Sequence, residues 1–421
     1  MIHHMKDRNL ETVLSRALKD TPAVIVHGAR QTGKSTLARA LVDSGQLGSY
    51  VTLDNAGQLS AARNDPAAFL EGLDGHAAID EVQRAPDLFV ALKESIDRDR
   101  RPGRFLLTGS ADLMLLPGPS ESLAGRVEVR TLWPFSQGEL RGVKEGLIDA
   151  VFRTRLPSSP AGSIERNELP RLIARGGFPE IHSRSGAARR AAWFDSYVTT
   201  ILTRDVRELA RIDSIQTLPR LLQILATRVG AVLNFSDLAR GLAVPQSTLK
   251  RYFALLEMTF LVRTLPAWFT NLGKRLVKSP KIHLTDTGLA AHLLGADPIR
   301  ILNEPSLIGP LLESFVFLEL VKQREWSALA PSLFHFRTQT GREVDIVLED
   351  RQGRVVGIEV KATTSPGAND LKGLRALEEA AGERFVRGII LYTGRDRISF
   401  GKNLTALPID ALWTLGATRS S

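Results

Sequence analysis

At 421 residues, with 43% hydrophobic and 24% charged side chains, the chain is an ordinary globular composition too long for one core, so roughly two to four domains are expected. No apolar run approaches the ~20 residues that span a bilayer, the N-terminus MIHHMKDRNL lacks the apolar stretch of a secretory signal, and the absence of cysteine excludes thiol catalysis and disulfides; the reading is cytoplasmic, with no membrane partner. A net charge of +9 and a pI near 9.9 favour a polyanionic partner.

In chain order, residues 6–22 read as an amphipathic helix closed by Thr21-Pro22. The β-branched run Val24–Val26 then breaks into a loop that opens on Gly28 and closes on Gly33. This is G-x-x-x-x-G-K-S between a strand and a helix, the context of a phosphate loop. The backbone of Gly28, Ala29, Arg30, Gln31, Thr32 and Gly33 can turn its N–H groups onto polyphosphate oxygens, at the positive end of the helix that follows. Lys34 neutralises the β and γ phosphates, Ser35 offers its hydroxyl to Mg²⁺, and Thr36 completes the cradle. A nucleoside triphosphate, ATP, with Mg²⁺ is the implied cofactor.

Further on, the strands Tyr50–Leu53, Ala77–Ile79 and Arg104–Thr108 alternate with helices at Ala67–Leu70 and Pro86–Asp99, which predicts a parallel sheet covered on both faces. Asp80 and Glu81 close one strand: an Asp there holds the Mg²⁺ shell and the next Glu polarises the attacking water. Thr108 and Ser110 either hydrogen-bond the γ-phosphate or water, or make an ordinary strand-end turn. Arg126, before the strand Val127–Leu132, is either a surface charge or a cation that completes a neighbouring subunit's site in trans, which would make the active form a homo-oligomer such as a ring.

Residues 156–164 read as a linker, and Ala187 to about Arg211 as a helix whose Trp193 and Tyr197 pack in the core. In 218–285, an apolar helix, a short helix capped at Asn234, a three- to four-residue turn and a third helix give helix-turn-helix geometry, with Gln246, Ser247, Thr248, Lys250 and Arg251 on the recognition side. A basic wing carrying Lys274, Arg275 and Lys278 follows. Between Leu238 and Thr285 eight Lys/Arg stand against one acid, Glu257; this favours phosphate contacts with DNA, the other reading being a solvated face on a protein-binding module. From Gly309 an α/β pattern returns. Alternate residues of a strand share a face, so Asp345, Glu359 and Lys361 converge from two strands, and a helix adds Glu313. Such carboxylates can bind Mg²⁺ while the lysine orients water for phosphodiester attack.

The motifs GARQTGKS (28–35), IDEVQ (79–83), LLTGS (106–110), SLAGRV (122–127), LWPFSQGEL (132–140) and GGFPE (176–180) resemble P-loop ATPases of the AAA-like and STAND group. That resemblance gives Gly177 and Pro179 a role beside the nucleotide base. The D…E-x-K arrangement over roughly 309–400 resembles the PD-(D/E)xK nuclease superfamily, with Val344 where that pattern has proline. The expected α/β fold is an N-terminal P-loop NTPase sheet (1–155), a helical lid (156–215), a winged helix (216–300) and a restriction-endonuclease-like domain (301–421). Three functions compete: an ATPase acting on DNA, an ATP-gated metal-dependent nuclease, and a STAND-type signalling ATPase.

Overall fold

The structure, a computed structural model, describes residues 6–73, 75–115, 123–158, 161–165, 167–206, 217–270 and 278–419. The chain divides into two compact units, Met1–Phe135 with Leu255–Leu261, and Ser136–Ala254 with Val262–Ser421. Among the described residues no helix is long and apolar enough to cross a membrane.

The first unit is a five-stranded sheet of β1 (Ala23–His27), β2 (Ser49–Thr52), β3 (Ala77–Asp80), β4 (Phe105–Gly109) and β5 (Val127–Thr131), in the order β2-β3-β4-β1-β5. Every pairing is parallel. β1 and β4 are buried along their whole length, as continuous apolar strands are when helices cover both faces. Alternation sorts their side chains into two cores. Ile25, Ile79 and Leu107 pack with Leu88, Leu92 and Ile96 of the helix Leu88–Arg98. Val24, Val26, Ala78 and Leu106 pack with Leu14 of the helix Glu11–Ala17 and Leu37 and Leu41 of the helix Lys34–Asp43. From β1 the chain crosses to the far edge before returning strand by strand, so the end of β1 is the switch point where such sheets bind ligands.

The first helix is shorter than the 6–22 expected. Past Leu18 the N–H groups of Lys19 and Asp20 bond back to Arg16 and Ala17 in tighter turns. At the other end Arg8 donates to the carbonyls of Thr32 and Trp133, both at 2.7 Å.

The first unit stops at Phe135, and the segment after it packs in the second. There Ser136 caps the helix Gln137–Arg141 in a capping box with Glu139, the Gln137 N–H donates to Glu319 at 2.7 Å, and the Gly138 N–H donates to Glu145 at 2.6 Å. After the short β6 (Val143–Lys144), the helix Ala187–Thr200 buries Trp193 and Tyr197, stacked 4.9 Å apart, beside Phe178. The helices Thr217–Ala226, Phe235–Leu242 and Gln246–Met258 follow, then the antiparallel pair β7 (Val262–Leu265) and β8 (Lys281–Leu284). Leu255–Leu261, the end of the third helix and the residues after it, group with the first unit.

The last part of the second unit is a mixed sheet. β9 (Ser332–Arg337), β10 (Glu343–Glu349) and β11 (Val355–Lys361) form an antiparallel meander, β12 (Phe385–Tyr392) and β14 (Leu404–Pro408) continue it in parallel from β11, and the short β13 (Ile398–Ser399) pairs antiparallel with β14. The helix Pro305–Arg324 precedes the meander and the helix Lys372–Ala381 lies between β11 and β12 in the chain. The latter buries Leu374 and Leu377 with Val344, Val347 and Ile390 of the sheet.

Candidate functional site

The phosphate loop leaves the end of β1. Gly28 has φ near 150°, and a Cβ there would lie 2.3 Å from the carbonyl oxygen of Leu132, so only glycine lets the loop pass this close to the chain that follows β5. Gly33, at φ 99°, is the N-cap of the helix Lys34–Asp43. Thr32 Oγ1 donates to the Ala29 carbonyl at 2.9 Å. Lys34 is buried, and its Nζ donates to the carbonyls of Gly28 and Ala29, each at 2.9 Å. The ammonium is thereby held inside the loop, with Arg30 and Ser35 half-buried and Gln31 and Thr36 exposed around it.

Asp80 ends β3, which is separated from β1 by β4, and Glu81 follows it; both are buried. They face different partners. Asp80 accepts hydrogen bonds from the Thr108 hydroxyl and from Tyr50, whose phenol oxygen is 2.6 Å away; burial, then the Asp80 bond, push the Tyr50 phenol up. Glu81 sits at φ 60°, a left-handed turn that swings its side chain off the line of the strand. Its carboxylate accepts from Gln83 and from Ser110, the latter at 3.0 Å, and Gln83 also reaches Ser110 at 3.0 Å. Thr108 Oγ1 accepts from the Glu81 N–H at 3.4 Å as well. Thr108 thus bridges the two acidic residues. Gln83 and Tyr50 are partners that motif reading missed. Gln83 was within reach, two residues past Glu81 in IDEVQ, whereas Tyr50 lies on a strand whose position beside β3 no local pattern states.

Two side chains reach further from the nucleotide loop. His27 Nδ1 lies 3.2 Å from Asp112, and its ring meets Phe260 edge-on with centroids 5.2 Å apart. Phe260 also packs edge-on to Trp133, and the Asp112 N–H donates to the Met258 carbonyl at 2.8 Å. The segment Leu255–Leu261 therefore packs against the residues just beyond β4 and at the end of β1. Arg126 forms a two-point ion pair with Asp97, at 2.8 and 2.7 Å, whose guanidinium holds the Asp97 carboxyl down to about 2.

In the second unit, Pro179 is half-buried at the start of the short helix Pro179–Ser183. Gly177 donates its N–H to Asp286 at 2.7 Å, and a Cβ on Gly176 (φ 68°) would fall 2.0 Å from that carboxylate. The GGFP turn is fastened by Asp286, which also caps the helix Thr287–Leu293 through the Leu289 N–H. On the helix Gln246–Met258, Gln246, Ser247, Lys250 and Arg251 are exposed and Thr248 half-buried, while Leu249, Tyr252 and Phe253 are buried. Polar and basic residues thus share one face. Lys278 is exposed; Lys274 and Arg275 lie outside the described residues.

Asp345, Glu359, Lys361 and Glu313 meet in the second unit. Ile346 pairs with Ile358, which brings Asp345 beside Glu359. The fifth member is Lys281 of β8: its Nζ is 2.7 Å from Glu313 and 3.4 Å from Asp345. The other Asp345 oxygen accepts the Val360 N–H at 2.9 Å, and Glu359 accepts from Lys361 at 2.7 Å. Burial, then the Asp345 carboxylate, push Glu313 and Glu359 up, whereas Glu313 and Asp345 hold Lys281 charged against burial. This donor set does not fit a divalent cation, because an ammonium already lies between two of the carboxylates. Among the described residues no group of three or more His, Asp or Glu is placed to hold a metal ion. Lys281 was visible as a lysine in the apolar strand K-I-H-L, where a buried cation requires an acid.

A glycine-flanked loop at the switch point of a parallel sheet, with a buried lysine and a strand-end acidic pair, is the site of P-loop nucleotide hydrolases. Residues 20–141 match an AAA domain, residues 166–300 a domain of unknown function (DUF8612) and residues 308–412 another (DUF4143). The chain thus carries an AAA domain over residues 20–141, which supports a P-loop ATPase. It is 36% identical over 413 residues, covering 97% of this chain and 85% of theirs, to the uncharacterized proteins Rv2008c of Mycobacterium tuberculosis and Mb2031c of Mycobacterium bovis. The chain belongs to the family of these mycobacterial proteins. The Walker-type ATPase PABY2304 of Pyrococcus abyssi is a similar solved structure, 15% identical, with a TM-score of 0.41 over 70% of this chain and 97% of that one.

Proposed function

We propose that this ATPase uses nucleotide turnover to change its hold on DNA. In this reading Lys34 and the loop N–H groups of residues 28–36 bind the triphosphate, Ser35 and Asp80 hold Mg²⁺, and Glu81 polarises the attacking water. The metal supplies charge neutralisation on the phosphates. The buried Asp80, already oriented by two hydroxyls, fits that role, and Thr108 links its position to that of Glu81. Pro179 is assigned to the base side of the nucleotide through the lid resemblance. Homo-oligomerisation, in a ring, belongs to the same proposal, with Arg126 leaving Asp97 to serve a neighbouring site.

The observation that carries the DNA reading is the helix Gln246–Met258. Its exposed face bears Gln246, Ser247, Lys250 and Arg251, and the residues at its end lie in the nucleotide-binding unit, against Asp112 and His27. A rearrangement around the γ-phosphate would shift the strand ends that this segment touches and so reach the basic face. The helix order with the β7/β8 pair supports a winged helix, and the order helix–β9–β10–β11–helix–β12 supports a nuclease-like domain. The test is the ATPase rate with and without single-stranded, duplex and branched DNA, with Lys34→Ala as the inactive control. Stimulation by at least one DNA is expected; a rate indifferent to all three removes DNA from the mechanism.

A further inference from the structure

We infer that Lys281 occupies the position a divalent cation would take between Glu313 and Asp345, so that the nuclease-like domain is closed to catalytic metal and does not cleave. Lys281 is 4% exposed, and its ammonium contacts both carboxylates. Mg²⁺ demands six oxygens at about 2.0–2.1 Å, several of them waters. Here most of the oxygens it would need already have partners, the second Glu359 oxygen being an exception. One oxygen of Asp345 and one of Glu313 face Lys281, the second Asp345 oxygen takes the Val360 N–H, and Glu359 takes Lys361. The other Glu313 oxygen faces Gly230, where a Cβ would lie 3.3 Å away. Charge argues the same way. Three carboxylates face two ammonium groups, so a divalent ion would enter beside a buried cation and be repelled by it.

The lysine also has a positive role. It ties β8 to the helix Pro305–Arg324 and to β10, which replaces a removable ion by a covalently attached one. The domain is then assembled at any metal concentration.

This inference goes beyond the ATPase and DNA reading, and its test requires neither ligand. Mn²⁺ binding is followed by electron paramagnetic resonance on nucleotide-free protein, comparing the native chain with Asp345→Asn. Identical stoichiometry is expected, as is an unchanged melting temperature on adding Mn²⁺ to either. One more Mn²⁺ bound by the native chain than by Asp345→Asn would overturn the inference. Lys281→Met removes the ammonium but keeps the stem, and should gain one Mn²⁺ per chain that is lost again when Asp345→Asn is added. A folded Lys281→Met that gains none would show that the lysine does not stand in a metal position. Should that variant not fold, the native comparison alone decides.

Discussion

At the scale of single residues, the nucleotide site is a set of buried charges with assigned partners. Glu81 is held by Gln83 and Ser110 rather than left to solvent, which fits the proposed role of polarising water once the triphosphate is bound. Glu81→Gln is expected to lower kcat by about 10²–10⁴-fold, the range for a lost general base, while fluorescent-nucleotide binding stays intact. If Arg126 acts on a neighbouring site, Arg126→Ala lowers kcat but not nucleotide affinity, and mixing it with Glu81→Gln subunits restores part of the rate. No rescue in mixed assemblies would assign the pair with Asp97 a purely local role. The sequence already marked the loop residues 28–36 and the pair Asp80-Glu81 as candidates, because each motif is contiguous and its chemistry fixes its spacing. Tyr50 was not singled out because its partner Asp80 lies in a distant segment; Gln83, inside IDEVQ, and Lys281, in the apolar K-I-H-L, carried local marks that were passed over.

At the scale of elements, the helix Gln246–Met258 has two ends with different surroundings. Replacing Lys250 or Arg251 by alanine should weaken DNA binding uniformly across sequences and reduce the slope of log affinity against log salt by about one for each phosphate contact removed, with the DNA-free ATPase rate unchanged. Phe260 sits at φ 56° between His27 and Trp133. Phe260→Leu, a change of shape more than of volume, is expected to cost about 1 kcal/mol of stability. It should also diminish DNA stimulation of the ATPase more than the basal rate. Periodicity in the sequence revealed this helix and its short neighbours. It did not reveal that Leu255–Leu261 joins the nucleotide-binding unit, because an apolar stripe announces burial without naming what buries it.

At the scale of the molecule, the second unit stores buried acid. Burial, then the nearby Glu319 carboxylate, push Glu145 from an ordinary 4.5 up to about 8. The folded chain therefore keeps a proton that the unfolded chain releases near pH 4.5. Its effect on stability is neutral below about 4.5, and stability is lost progressively as pH rises toward 8. Glu145→Gln, whose carbonyl can still accept the Gly138 N–H, should flatten the fall in melting temperature between pH 5 and 9 and add on the order of 1–3 kcal/mol at the alkaline end. Glu313 and Glu359 shift in the same direction, so some slope remains. The alternation of strands and helices made the N-terminal sheet readable. The boundary at Phe135 was not, because it depends on which acids the N–H groups of Gln137 and Gly138 find.

The nucleotide-binding unit is built from two passes of the chain, Met1–Phe135 and Leu255–Leu261. During synthesis the second pass leaves the ribosome well after the first, by roughly 10 s at usual elongation rates. The sheet must therefore persist without Phe260 against His27 and Trp133 while the intervening residues are made. Nascent chains arrested before Leu255 emerges should hold nucleotide poorly, and those long enough to expose Leu261 should hold it well. Maturation of the site would then report that most of the polypeptide has already been produced.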